Sequence, residues 1–199
     1  MKYDFSKRAM DLVIFFLVLP FFVLILPFVA LAIKAESRGP VFFKARRVSK
    51  GRAVTIYKFR TMALGAEEKK KELNHLNERK DGPFFKISKD PRVTKIGRIL
   101  RKFWIDETPQ IFNVLKGEIS FVGPRPYEPE EMEKYPEEYR FLKNEKAGIT
   151  GLSQIKGSSN LPFLEVLKYD AYYARHKSLG LDLKILFKTF LLLFDPSGV

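Results

Sequence analysis

Apolar residues fill every position from residue 12 to residue 33, a run of 22 residues without a charged or polar side chain. A helix of about 20 apolar residues matches the ~30 Å hydrocarbon core of a bilayer, so this pattern predicts a membrane segment. Positive charge marks the cytoplasmic end of such a segment, and its presence at both ends favours one side of the membrane for both. The flanking cations are Lys2, Lys7 and Arg8 before the run and Lys34, Arg38, Lys44, Arg46 and Arg47 after it.

Two prolines inside this run indicate how both ends reach one side. Pro20 and Pro27 each lack an N–H and clash with the carbonyl four residues earlier, so each kinks or breaks a helix. We therefore expect residues 1–36 to form a re-entrant helix–break–helix that enters the bilayer and returns, with either proline at the bend. Two alternatives stay open: an ordinary kinked span, and a signal peptide with Ala30-Leu31-Ala32 at its cleavage site.

Shorter patterns after residue 36 predict a domain of mixed structure. Residues 41–48 and 53–59 are typical of two strands joined by a hairpin turn at 49–52. Residues 65–82 are typical of a solvated helix and loop, and residues 147–160 of a loop. We expect an α+β fold in which residues 37–199 form a mostly helical cytoplasmic domain with a small hairpin-based sheet. The predicted helices are 95–104, 106–115, 128–146 (interrupted at Pro136), 164–176 and 179–194.

The last of these helices is amphipathic, with Lys184 and Lys188 mostly off its apolar face. An apolar face with basic edges suits a helix lying in the membrane interface. Packing of the same face on the domain core explains the pattern equally well, and the sequence leaves both readings open. The apolar stripe consists of Leu183, Leu186, Phe187, Phe190 and Leu191.

Charge and composition limit the classes of partner and of functional site that the chain can have. Lys and Arg total 36 against 23 Asp and Glu, and the formal net charge of +13 favours anionic partners such as lipid headgroups, phosphorylated substrates or nucleic acid. The chain has no Cys, which excludes disulfides and thiolate metal sites. Only two His are present, which argues against a three-His metal site, so any chemistry falls to Asp, Glu, Lys and Arg.

The sharpest candidate for chemistry is the adjacent pair Asp106 and Glu107. Pro109 is tolerated only in the first turn of a helix, which places both carboxylates at a helix N-terminus, where free N–H groups stabilise negative charge. On local pattern alone a simple helix cap explains the pair. The apolar run 103–105 before it favours instead a site in which a carboxylate attacks phosphorus or binds Mg²⁺. Neighbouring cations are Arg98, Arg101 and Lys102.

Two further cationic features could serve phosphate binding. Arg125 lies between Pro124 and Pro126, whose rings stiffen the backbone and present the guanidinium for bidentate phosphate binding, unless the segment is an ordinary surface turn. Lys58 and Arg60 alternate outward at the end of the second predicted strand, a pattern that a charged strand edge explains as readily.

Taken together, these residues resemble those of the monotopic phosphoglycosyl transferases, the bacterial sugar transferase family, and in particular its minimal single-domain members. The likeness runs from about Lys7 to about Asp195, and it is the order and spacing of many motifs that make it specific. The matching segments are 7–8 with Asp11, 39–43, 58–62, 90–94 with 97–98, 106–110, 113–117, 122–126, 148–152, and 169–170 with 172–173.

The resemblance implies a reaction and assigns roles. Members of this family transfer a sugar phosphate from a UDP-sugar to polyprenyl (undecaprenyl) phosphate and release UMP, on the cytoplasmic face of the bacterial inner membrane, as the first membrane step of surface-glycan assembly. Asp106 matches the nucleophile, which forms a covalent phospho-sugar intermediate and binds Mg²⁺, and Glu107 matches the acid beside it. Phosphate-binding roles fall to Lys58, Arg60, Arg98, Arg101 and the turn Pro124-Arg125-Pro126.

The chain departs from the family pattern in three places, one of which is Ser49 after Arg47-Val48, where the family has Gly and the change loosens the turn. Leu19 and Leu26 precede the two prolines where the family often has Ser, so the sequence does not say which proline makes the bend. Where the family often has Arg after Gly157, this chain has Ser158, and Lys156 is the candidate substitute for that nucleotide contact. The sequence names neither the sugar nor the oligomeric state, so a homodimer stays open.

Two other functions compete with this reading. A non-catalytic basic protein of the membrane surface would bind anionic lipid or another chain, and Asp106→Asn would then leave its function intact. A nucleic-acid binder rests on charge alone, because the sequence has no helix-turn-helix, zinc or aromatic RNA-binding pattern. We therefore expect membrane lipid, and no nucleic acid, among the partners.

Overall fold

The computed structural model describes residues 2–157 and 160–194 and begins with one long helix. Helix α1 (Lys2–Glu36) has 35 residues, which corresponds to about 52 Å at 1.5 Å per residue. Within the described residues it is the one helix long and apolar enough to cross a membrane. The expected break is absent, because helical backbone continues through Pro20 and Pro27. A proline removes one bond of the helical ladder while its neighbours persist, so a single helix with two internal prolines replaces the predicted helix–break–helix.

An antiparallel hairpin follows α1 and confirms the predicted strand pair. Strands β1 (Phe42–Ser49) and β2 (Arg52–Phe59) pair along their full length, and their bounds lie within one residue of those expected. Lys50 and Gly51 form the loop with φ values of 52° and 72°. Positive φ at both central residues is what a two-residue turn needs to match the twist of a hairpin.

A second, smaller sheet was not expected from the sequence. Strands β3 (Ser120–Val122) and β4 (Gly148–Thr150) pair in parallel, although residues 147–160 were predicted to be a loop. Close approach of the two backbones requires glycine, because a Cβ at Gly148 would lie 2.1 Å from the nitrogen of Gly123. This sheet fixes where the segment after β3 leaves the core.

The remaining elements are short helices, and the described chain has the expected α+β composition, with more helix than strand. Near residues 128–146, two short helices flank Pro136 in place of one interrupted helix. The α-helices are α2 (Glu68–Glu72), α3 (Lys95–Lys102), α4 (Ile111–Leu115), α5 (Pro129–Met132), α6 (Phe163–His176) and α7 (Leu179–Leu192). The 3₁₀ helices are Leu73–Leu76, Ile105–Gln110, Glu137–Asn144 and Gln154–Lys156.

Both ends of α1 are attached to the same domain. Near its start, the Arg8 guanidinium donates to the carbonyl oxygens of Val114 and Leu115 at the end of α4, each at 2.6 Å. At its end, the Glu36 carboxylate accepts the backbone N–H groups of Lys95 and Ile96 at 2.6 and 2.8 Å, which are free donors at the start of α3. The helix thus lies along the domain rather than extending away from it.

Helices α1 and α7 each bury one side and expose an apolar one. On α7, Ile185 is buried and Leu186 packs against the core, so the core-packing reading is correct for that part of the predicted stripe. The other four stripe residues are exposed, and a membrane role for them stays a prediction. Exposed apolar residues include Phe5, Val13, Phe16, Leu17, Phe21, Val23, Leu24, Phe28 and Leu31 on α1, and Leu183, Phe187, Phe190 and Leu191 on α7.

Candidate active site

The two adjacent carboxylates lie in the first turn of the 3₁₀ helix Ile105–Gln110, as their spacing from Pro109 predicted. Trp104 precedes this helix in the left-handed conformation with φ of 53°, which reverses the chain after α3. The Thr108 hydroxyl donates to the carbonyl of Ile105 at 2.8 Å and secures the turn. Asp106 is thereby buried, while Glu107 faces a cavity.

Asn113 on α4 places the hairpin against this turn. The side chain is fully buried, accepts the backbone N–H of Tyr57 at 3.1 Å and donates to the carbonyl of Thr55 at 2.7 Å. A side-chain amide that pairs with both polar groups of a strand edge fixes the position of β2. Lys58 then reaches the carboxylates, with its Nζ 2.6 Å from Oε1 of Glu107.

The environment pushes the pKa values of the two carboxyls in opposite directions. Burial, and next the negative charge of Glu107, raise the pKa of Asp106 to about 6, although Lys58 and Arg101 act to lower it. For Glu107, burial favours the neutral form, but the nearby Lys58 ammonium outweighs it and holds the pKa of Glu107 below its ordinary value. A pair of acids held apart in this way can serve two different chemical roles.

A cavity of about 610 Å³ opens beside the pair and brings together five of the predicted site residues. Several positions that the sequence did not single out for a role also line it, among them Trp104, Gln110 and Thr150. Gln110 and Trp104 lie inside or next to the matched segment 106–110, so their sequence position was a usable signal. The predicted residues that line this main cavity are Lys58, Arg101, Glu107, Arg125 and Pro126.

Arg98 lies apart from the main cavity but close to it. This exposed side chain lines a second cavity of about 520 Å³, together with Lys89, Asp90 and Arg101. Arg101 lines both cavities and is oriented by a 3.0 Å hydrogen bond from its Nε to the Thr61 hydroxyl. Arg98 therefore shares the second cavity with Arg101 but does not line the cavity beside the carboxylates.

Arg60 does not line either cavity. Its Nε donates to the carbonyl of Pro40 at 2.6 Å, and its two terminal nitrogens donate to the hydroxyl and the carbonyl of Ser37 at 2.7 and 2.9 Å. The buried guanidinium thus ties the end of β2 to the segment that leaves α1. Three of the five N–H groups of Arg60 are used in these bonds, and its expected phosphate-binding role stays a prediction. Among the other predicted positions, buried Asp106, exposed Lys156 and buried Pro124 also line neither cavity.

The turn that carries Arg125 rests on a buried carboxylate that sequence reasoning did not assign. Asp170 on α6 is fully buried and accepts the Tyr127 hydroxyl at 2.7 Å. Burial raises the pKa of Asp170 to about 6, while Tyr127, Ser153 and the backbone N–H of Arg125 act to lower it. The matched motif 169–170 was the available sequence signal for this support.

The described residues contain no group of three His, Cys, Asp or Glu side chains that could hold a metal ion by themselves. Oxygen donors suited to a hard cation are nevertheless present. Asp106 has a raised pKa beside Glu107, and the buried Oε1 of Gln110 has no hydrogen-bond partner in the described part of the chain. Mg²⁺ commonly takes one or two carboxylates and completes its shell with water and substrate phosphates, which this donor set fits.

Comparisons with known proteins show which family the chain belongs to. A family model for bacterial sugar transferases matches residues 2–196. The undecaprenyl-phosphate galactose phosphotransferase of Salmonella typhimurium is 35% identical over 190 residues, which cover 93% of this chain and 40% of that protein. An uncharacterized sugar transferase of Haemophilus influenzae is 36% identical over 195 residues, covering 96% of this chain and 41% of that protein. The exopolysaccharide production protein ExoY of Rhizobium meliloti is 36% identical over 188 residues, covering 92% and 83%.

The chain thus spans about two-fifths of the length of the first two of these relatives and most of the third. The family match covers α1, the hairpin and the carboxylate pair in one continuous stretch. With this extent of similarity, and with the paired carboxylates beside a cationic cavity, the chain belongs to the bacterial sugar transferase family.

Proposed function

We propose that the chain is a phosphoglycosyl transferase that moves a sugar phosphate from a UDP-sugar to polyprenyl phosphate, giving polyprenyl-diphosphate-sugar and UMP. The observation that carries this proposal is the buried carboxylate of Asp106, which lies next to Glu107 in the sequence, while Glu107 pairs with Lys58 at the wall of a cavity that Arg101 and Arg125 also line. The named relative from Salmonella typhimurium acts on undecaprenyl phosphate by its printed description, which supports the acceptor class.

Asp106 is the proposed nucleophile. Its carboxylate oxygen attacks the β-phosphorus of the UDP-sugar, the bond from that phosphorus to the bridging oxygen breaks, and UMP leaves with that oxygen. An acyl phosphate that links Asp106 to the phospho-sugar results, and an oxygen of the polyprenyl phosphate then attacks the same phosphorus and frees the carboxylate. A two-step covalent route lets one cavity serve two chemically different substrates in turn.

The cations hold phosphate charge during both steps. Lys58 neutralises Glu107, and Arg101 and Arg125 face the same cavity, where a guanidinium can bind phosphate oxygens in pairs. Asp106, with Glu107 and Gln110 close by, would hold Mg²⁺, which supplies charge stabilisation for the transferring phosphoryl group when bound. Glu107, ionised because of Lys58, orients the groups around the nucleophile.

The attachment of α1 supports a position on the cytoplasmic face of the bacterial inner membrane. Because Arg8 and Glu36, at opposite ends of the helix, both bind the same domain, the two ends stay on one side of the bilayer. The exposed apolar side of α1 then enters the membrane without crossing it. In that position the cavity lies at the depth of the lipid phosphate.

The test is UMP release by detergent-purified protein with Mg²⁺, undecaprenyl phosphate and a panel of UDP-sugars. We expect release that requires both the lipid phosphate and Mg²⁺, and the active donor identifies the sugar. Asp106→Asn should abolish release while circular dichroism stays unchanged. Release that persists in Asp106→Asn would refute the proposed nucleophile, and binding of anionic vesicles without release from any donor would favour a non-catalytic membrane-surface protein.

A further inference from the structure

The main cavity has two chemically different walls. One wall carries Lys58, Arg101, Glu107 and Arg125, which suit phosphate. A second group of lining residues lies on α1, β4, the 3₁₀ helix Gln154–Lys156 and the end of α7, which contact one another. We call its apolar members the apolar wall: Val18, Ile149, Ile155, Leu192 and Leu193; the polar Thr150, Gln154 and Thr189 lie on the same elements. A ligand with an anionic group and an apolar part would match both groups of lining residues.

The apolar wall is built by the two helices that expose apolar faces. Val18 belongs to α1, and Leu192 lies at the end of α7. A 2.7 Å hydrogen bond between the hydroxyls of Thr150 and Thr189 holds α7 on β4, which brings Ile149 into the same wall. Both helices also expose apolar side chains outside the cavity.

We infer that this apolar wall, Val18, Ile149, Ile155, Leu192 and Leu193, binds the isoprenoid chain next to the phosphate of the acceptor. A sugar nucleotide is polar throughout and would leave these side chains facing water or a hydroxylated sugar, which gains nothing from them. An isoprenyl phosphate matches both walls, with its anionic head at Arg101 and Arg125 and its chain leaving between α1 and α7. This inference rests on the proposed function for the identity of the acceptor.

Binding can be measured without turnover. Trp104 is the single tryptophan of the chain and lines the main cavity, so its fluorescence reports occupancy. The full chain in detergent is titrated with isoprenyl phosphates of increasing chain length and with inorganic phosphate. We expect affinity to rise with each of the first isoprene units and then to level off once the wall is covered.

Two variants on different elements test the wall, Leu192→Asn on α7 and Ile155→Asn on the 3₁₀ helix Gln154–Lys156. Each should weaken binding of the long-chain phosphate about tenfold or more, the loss expected when a buried leucine-sized contact becomes polar, and should leave inorganic phosphate binding unchanged. Leu183→Asn is the matched control, because Leu183 is an exposed leucine of α7 outside the cavity.

Equal loss in Leu183→Asn would place the chain on the outer face of α7 and overturn the inference. Affinity that does not depend on chain length would also overturn it. Chain-dependent binding without UMP release would support the wall while refuting the proposed reaction, so the two failures are distinguishable.

Discussion

Two regions of the molecule bury charged side chains, one with an ion-pair partner and the other without one. Near the start of α1, Lys7 is buried with its Nζ 3.0 Å from Oδ2 of Asp182, and the Tyr173 hydroxyl donates to the other oxygen at 2.7 Å. In the 3₁₀ helix Ile105–Gln110, Asp106 is equally buried but lies beside another carboxylate. Within the described residues, no Lys or Arg forms an ion pair with Asp106.

This difference distinguishes buried charges that stabilise the fold from a buried carboxylate that we propose to react. The Lys7–Asp182 pair satisfies both charges, so it fixes α1 to α7. Lys58 and Arg101 interact with Asp106 only at longer range. The raised pKa of Asp106 reflects the energetic cost of burying its negative charge. A carboxylate kept short of partners remains available to react, which is how perturbed groups mark functional sites.

The largest expected effect comes from Asp106→Asn. The amide cannot form the acyl phosphate with the phospho-sugar, so UMP release should fall by about 10³-fold or more. Because the substitution also removes a buried negative charge next to Glu107, the free energy of unfolding at pH 7 should stay the same or increase. Activity assays and thermal unfolding of the same preparation check both parts, and a variant that is inactive because it unfolds would contradict the comparison.

Asp182→Ala should lower the free energy of unfolding, whereas Asp106→Asn should not. It leaves Lys7 buried without its partner carboxylate, which costs about 3 kcal/mol in the free energy of unfolding. The double variant Lys7→Met with Asp182→Leu should recover most of this loss, because both charges are gone. Chemical unfolding in detergent measures the effect, with exposed Lys184→Ala on the same helix as control. Unchanged stability in Asp182→Ala would mean that the pair does not hold α1.

The pH dependence should follow Asp106. Since the proposed nucleophile Asp106 must be ionised to attack and its pKa is about 6, the rate should fall roughly tenfold per pH unit below 6 and level off above it. Stability has the opposite slope: the folded pKa lies above the ordinary 3.8, so the contribution of Asp106 to stability is lost as pH rises from about 4 to about 6. Rate–pH profiles test the first part, and unfolding of wild type against Asp106→Asn across this range tests the second.

The smallest expected effects distinguish the structural role of Arg60 from the proposed phosphate-binding role of Arg125. Arg60→Lys loses part of its bonding to Ser37 and Pro40 and should lower stability by about 1 kcal/mol with little change in the KM for the donor. Arg125→Lys should raise that KM without a comparable change in stability, because a lysine cannot bind phosphate in a bidentate manner. Steady-state kinetics and unfolding of both variants decide the matter, and a raised KM in Arg60→Lys would restore its predicted phosphate role.

Local patterns predicted the local structure well and the long-range contacts poorly. Alternation and the turn at Gly51 defined the hairpin, and Pro109 placed the carboxylates in the first turn of a helix. The pairing of β3 with β4 joins three-residue strands far apart in sequence, too short for a periodic signal. Strand alternation predicted that Arg60 points outward, which is wrong, because the fold buries its side chain and brings Ser37 to its guanidinium.

The same limit applies to buried charges. Asp182 has the sequence pattern of an exposed helix residue, and its partner Lys7 is 175 positions away. The two prolines predicted an interrupted helix because sequence cannot show that the flanking hydrogen bonds survive. The predicted cluster of Lys58, Arg101, Glu107 and Arg125 did assemble around one cavity, since the matching family motifs carried the long-range information that local pattern lacks.

The most direct test of the central claim, that Asp106 is the nucleophile, is the intact mass of the protein after rapid quench with the active UDP-sugar and no acceptor. We expect a mass gain of one sugar phosphate, which peptide mapping locates on Asp106. Polyprenyl phosphate should remove this adduct, and Asp106→Asn should not form it. An adduct on another residue, or acceptor-dependent UMP release with no adduct at any quench time, would contradict it.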